Sequence, residues 1–119
     1  MTREEIMNMP VGRELDALVA EKVFGKSIQW TFGDDWTDSY PVDIHEVIVD
    51  HYSSDISAAW EVVEKIRENG MYIDIRTCAD FIEVWVTSGT WPPEQHPEVV
   101  ALPSLPEAIC RAALLAVME

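Results

Sequence analysis

Basic residues are scarce in this chain. Its 119 residues hold 8 Lys plus Arg against 22 Asp plus Glu, a formal net charge of −14. A field of that sign repels phosphate backbones and anionic membranes, so a nucleic-acid polymer and a membrane surface are not expected partners. A local pocket can still hold one small phosphate ligand, because screening confines each charge to about 8–10 Å at cellular salt. Cysteine is scarce too: Cys78 and Cys110 lie far apart with no CxxC, which excludes a disulfide scaffold and a zinc ribbon. Glycine is thin and scattered, and its five positions form neither GxGxxG nor a P-loop. No apolar run approaches the ~18 residues of a membrane span. The opening "MTREEIMNMP" lacks the basic and apolar regions of a signal peptide, so a reduced, cytoplasmic protein is expected.

What is present is globular. Nearly half the residues are hydrophobic (48%), enough for one core, and the length suits one domain spanning 1–119. Thr2 followed by Glu5 reads as a capping box, and Leu15, Leu18, Val19 and Val23 recur at helical spacing before Gly25. Helix is therefore expected over about 2–24, kinked or restarted at Pro10. "SIQWTF" suits a short strand, "GDDWTDSYP" a turn-rich loop, and "IHEVIV" a strand or an irregular packed segment.

"SSDISAAWEVVEKIRENG" is the clearest helix, capped by Ser53, Ser54 or Asp55 and stopped at Gly70. Ile56, Ala59, Trp60, Val63 and Ile66 form its apolar stripe, which places Trp60 in the core. "MYIDIR" and "FIEVWV" alternate in the strand period around a short connection and predict an antiparallel hairpin. One face carries Ile73, Ile75, Ile82, Val84 and Val86; the other carries Tyr72, Asp74, Arg76, Phe81, Glu83 and Trp85. The proline-rich "SGTWPPEQHPEVVALP" reads as a solvent-side loop. Ser104 with Glu107 then opens a last, alanine-rich helix, through which copies of the chain could associate. The element order predicts an α+β fold, a three-layer alpha-beta-alpha sandwich around a small antiparallel sheet.

Catalytic and metal signatures are weak. Asp43, His45, Glu46, His51 and Asp55 can all ligate a metal, but their spacing matches no strong motif, and solvated polar residues are the simpler reading. Cys78, Cys110 and His96 contain the ingredients of thiol catalysis without any sign that they meet. The acidic pairs of "DDWTD" lack the spacing of a helix-loop-helix calcium site. No catalytic residue, metal or cofactor is assigned; a non-catalytic protein is expected, and a small enzyme is the third alternative, which needs one of these weak constellations to converge.

The aromatics stand out. Trp30, Phe32, Trp36 and Tyr40 fall within one short stretch, and Trp85 lies beside Arg76 on the charged face of the hairpin. Rings next to a guanidinium can stack a base while the cation takes a phosphate. They can equally cover the open hairpin face or grip another protein. Trp30, Phe32, Trp36, Tyr40, Arg76 and Trp85 are the candidate ligand-binding residues.

Three blocks carry a family resemblance: "GRELDALVAEKVFG", "YSSDISAAWEVVEKIRENG" and "LPEAICRAALLAV". They are similar to the small phage and prophage proteins grouped as the phage ABA sandwich domain. The resemblance implies alpha-beta-alpha layering and a phage accessory protein in the host cytoplasm, and it brings no catalytic motif. Two functions follow. One is a counter-defence sponge, forming homo-oligomers and sequestering a small nucleotide-like ligand with Arg76 or Lys26 at its phosphates. The other is an acidic inhibitor of a host protein, a mimic of nucleic acid.

Overall fold

A computed structural model of the chain describes residues 2–32, 39–89, 92, 94 and 99–118. The order is α1 (Arg3–Asn8), α2 (Arg13–Lys22), β1 (Gln29–Phe32), β2 (Ser39–Val42), α3 (Ile56–Glu68), β3 (Met71–Thr77), β4 (Ile82–Ser88), β5 (Val100–Leu102) and α4 (Leu105–Val117). The α+β class, four helices with small antiparallel sheets, is the one expected from the sequence. Two antiparallel sheets are present, β1-β2 and β3-β4-β5.

Pro10 divides the first helical stretch in two. The Thr2 hydroxyl accepts from the Glu5 N–H and opens α1, and Met9 turns extended before the proline ring would clash. Gly12 then restarts the chain at φ 132°, a conformation that side chains disfavour. Asp55 caps α3 by accepting from the Ser57 N–H at 2.8 Å.

The core lies between the helices and one face of the larger sheet. α3 packs on β3, α4 packs on β4 and β5, and α1 and α2 pack on α4. Leu15, Val62, Ile66, Val84, Val100, Ile109 and Leu114 lose their solvent contact entirely, each worth about 1.5–3 kcal/mol of apolar transfer. α4 is buried at every position from Ala108 to Leu115. The alanine-rich helix expected to join copies of the chain is therefore the centre of a single copy.

Three further expectations need correction. Trp60 is 50% exposed and Ile56 is likewise out, because the buried stripe of α3 runs through Ala59, Val62, Val63 and Ile66. The region expected to be all loop contains β5, where Val100 pairs with Val84 and Leu102 with Ile82. Ser104 makes no side-chain cap bond; Glu107 instead holds Arg111 at 2.8 Å. That arginine is buried inside an apolar helix, with its guanidinium donating to the carbonyls of Ile6 and Met9 at the end of α1.

The β3-β4 register sets Tyr72, Asp74 and Arg76 across from Thr87, Trp85 and Glu83 on one face. Tyr72, Asp74 and Arg76 are exposed and Glu83, Trp85 and Thr87 half-buried, so this face meets solvent in a single copy. Gly89 is required where the chain leaves β4, since a Cβ there would sit 2.1 Å from the Gly70 carbonyl oxygen.

Candidate functional site

The candidate aromatics separate into two surfaces. Trp30, Phe32 and Tyr40 lie on the β1-β2 ribbon, while Arg76 and Trp85 lie on the open face of the larger sheet. Trp36 falls outside the described residues, as do Trp91 and His96.

The ribbon is built from a four-residue register in which Gln29 meets Val42, Trp30 meets Pro41, Thr31 meets Tyr40 and Phe32 meets Ser39. Side chains alternate, so Trp30 and Phe32 share one face and Gln29, Thr31, Tyr40 and Val42 the other. Residues 47–49 add a third, partial strand: Ile48 bridges Val42, and the Val49 N–H donates to the Pro41 carbonyl. The connecting turn is held by Asp43, whose carboxylate accepts from the N–H groups of His45 and Val47 at 2.8 and 3.0 Å. The bond from Val47 chiefly, helped by that from His45, keeps this carboxyl below the usual Asp range against the opposing effect of desolvation. Glu46 takes φ 60° to close the turn.

The sequence missed how apolar the outside of this ribbon is. Trp30 is 46% exposed, Phe32 53%, Ile44 69%, Val47 59% and Ile48 58%. "IHEVI" carries the signal, since three aliphatics cannot all face inward from a five-residue turn. The ribbon meets the body through α2 and β2, and Arg13 ties it down by donating to the Ser39 carbonyl at 2.6 Å.

A cavity of about 310 Å³ opens on the ribbon, lined by Gln29, Trp30, Thr31, Tyr40, Val42 and Glu46. It offers the Tyr40 phenol and the neutral hydrogen-bonding groups of Gln29 and Thr31, and its one charged wall is the Glu46 carboxylate. Such a lining suits an apolar or neutral group. It does not hold Arg76 or Lys26; Lys26 sits 5.5 Å over the Phe24 ring, which stacks on Tyr52. A shallower groove of about 370 Å³ runs beside Trp60, between Phe24 and Glu61, Glu64 and Glu68.

Ser53, Asp16 and His51 bring the components of a hydrolytic triad close together without forming one. The Ser53 hydroxyl donates to Asp16 Oδ1 at 2.6 Å and accepts from the Gly12 N–H, while His51 stands 3.8 Å from the other carboxylate oxygen. A nucleophile would need its proton aimed at the imidazole and its oxygen open to substrate. Ser53 is 1% exposed, so this is a lock between α2 and the start of α3. Burial raises the Asp16 carboxyl above its ordinary value, against the lowering effect of both Ser53 bonds and of His51.

Cys110 is buried, with its thiol pushed up by desolvation, and Cys78 lies near Glu83. Among the described residues, no three His, Cys, Asp or Glu side chains converge on a metal position. No helix of the described residues is long and apolar enough to cross a membrane.

Comparison with known proteins gives one match. A family model described as Phage ABA sandwich domain matches residues 17–114, from α2 through most of α4. No curated protein and no solved structure matches.

Proposed function

The chain belongs to the phage ABA sandwich domain family, and from that premise we propose that it is a non-catalytic accessory protein that binds a host protein in the host cytoplasm through its β1-β2 ribbon. The observation that supports this reading is the exposure of Trp30, Phe32, Ile44, Val47 and Ile48 on one ribbon and its turn, beside a core that is complete without them. Large apolar side chains exposed together on one ribbon and its turn favour an interaction site, and aromatic residues such as Trp and Phe are enriched in interface cores. The surrounding net charge of −14 selects a partner whose rim is basic and speeds the encounter. Such a protein acts as an inhibitor, occluding a surface its partner uses elsewhere.

A second reading, a sponge for a small nucleotide signal, draws on the cavity beside Trp30 and Tyr40. Its base would stack there, but its phosphates would face Glu46 and not Arg76.

Affinity capture from infected cells separates the two readings, performed with the native chain and with a Trp30→Ser/Phe32→Ser variant. The inhibitor reading expects one host protein, retained by the native chain and lost by the folded variant. Equal recovery with both chains would remove the ribbon from the interface. Titration calorimetry with cyclic nucleotides tests the sponge, for which micromolar binding lost in Tyr40→Ala is the expected result.

A further inference from the structure

We propose that two copies of this chain join edge to edge through β3, with Ile75 on the twofold axis, to make one six-stranded sheet. This goes beyond the binding reading above and does not involve the ribbon.

β3 is the outer strand of the order β3-β4-β5, and among the described residues no other segment pairs with its free side. Natural edge strands are usually short, or carry charged side chains, proline or a bulge to prevent pairing. β3 runs seven residues, Met71 to Thr77, in unbroken register with β4, without proline or bulge, and its two charges, Asp74 and Arg76, are of opposite sign and can pair across a twofold. Its backbone polarity can be read from the hairpin end. The Cys78 N–H donates to the Phe81 carbonyl at 2.9 Å, which makes that a hydrogen-bonded pair. Hydrogen-bonded pairs alternate along an antiparallel ladder. Tyr72, Asp74 and Arg76 therefore spend their backbone groups on β4, and Ile73, Ile75 and Thr77 present theirs to the free edge.

Ile75 adds a second reason. It points to the helix-covered face, yet stays 37% exposed where its counterparts Val84 and Val86 are buried. A second Ile75 across the axis would shield it.

Charge then selects the register. Centring the antiparallel pair on Ile75 sets Asp74 opposite Arg76 of the second copy, and Arg76 opposite its Asp74, on the open face. Both fall at non-hydrogen-bonded positions, where opposed Cα atoms approach to about 4.5 Å. The neighbouring registers that keep the same backbone pattern centre on residue 74 or 76, and they oppose two aspartates or two arginines. Opposed like charges are destabilising and opposed unlike charges stabilising. Arg76 is exposed and makes no ion pair among the described residues; Asp74 accepts from the Thr87 hydroxyl and keeps a second oxygen.

Sedimentation velocity on the full chain, at about 0.15 M salt to screen the long-range acidic repulsion, tests the pairing. The native chain is expected to be dimeric at micromolar concentration. Asp74→Arg and Arg76→Asp should each weaken association by at least about tenfold, and the double reversal should restore it. Ile75→Lys should give a monomer. Hydrogen exchange of the native chain gives a readout independent of any variant: the Ile73, Ile75 and Thr77 amides should slow as concentration rises. A native monomer at every concentration, a dimer indifferent to the single reversals, or edge amides whose exchange ignores concentration overturns the proposal.

Discussion

Ser53 and Asp16 bond twice across 37 residues of sequence, the serine hydroxyl and N–H both donating to one carboxylate oxygen, at 2.6 and 2.8 Å. The pair fixes the start of α3 to α2, and it places an acid where burial disfavours its charge. An acid whose carboxyl is raised in the folded state binds its proton more tightly there than in the unfolded chain. Its contribution to stability is therefore largest at acid pH and declines as pH rises from about the ordinary value of 3.8 through the raised value. Asp16→Asn removes that titration. Urea unfolding between pH 4 and 7 should show a downward component in the native chain that is missing in Asp16→Asn. Ser53→Ala should cost about 1–3 kcal/mol at neutral pH, since it leaves a buried carboxylate short of a donor.

Arg111 does for α1 what Ser53 does for α2. Its guanidinium collects Glu107 and two carbonyls from the end of α1, all within reach of one buried fork. Removing one partner of a buried pair costs about 3–5 kcal/mol, because the groups left behind have no water to replace it. Arg111→Ala should lower stability by that amount in chemical denaturation. Amide exchange would locate the loss, with α1 opening first.

These two locks mark the boundary of what the sequence shows. The hairpin registers in Ile73, Ile75, Val84 and Val86 because a period of two is visible in any strand with one covered face. The α3 caps are visible because Asp55 and Gly70 flank an apolar run. Arg111 is hidden because a cation in "AICRAALLAV" reads as an interruption until its acceptors arrive from 102 and 105 residues away. β5 is hidden for the same reason: three residues after a run of prolines carry no period, and only pairing with β4 defines them. The binding candidates were legible by residue type but not by place, since nothing local says that Trp30 and Arg76 belong to different sheets.

The thiols should separate cleanly. Cys110 is fully buried, and desolvation raises it far above the ordinary thiol range, which suppresses the reactive thiolate. Cys78 is half-buried beside Glu83 at the hairpin end. Titration with a disulfide reagent at neutral pH should modify Cys78 in the folded chain and Cys110 only after denaturant is added. Two fast thiols without denaturant would show that the α4 packing is looser than described.

Trp60 and Ile66 test the position of the α3 stripe. Sequence periodicity puts both in the core; in the structure Ile66 has no exposed surface and Trp60 keeps half of its own. Ile66→Ala opens a cavity between α3, α4 and the sheet and should cost about 2–5 kcal/mol. Trp60→Ala removes a ring lying along a surface groove, where its loss leaves solvent and not a void. A cost of about 1 kcal/mol or less is expected there, measured by the same denaturant midpoint. The larger residue should thus matter less, the reverse of what volume alone dictates. A Trp60→Ala variant as damaged as Ile66→Ala would return the indole to the core and rotate the helix by the width of one side chain.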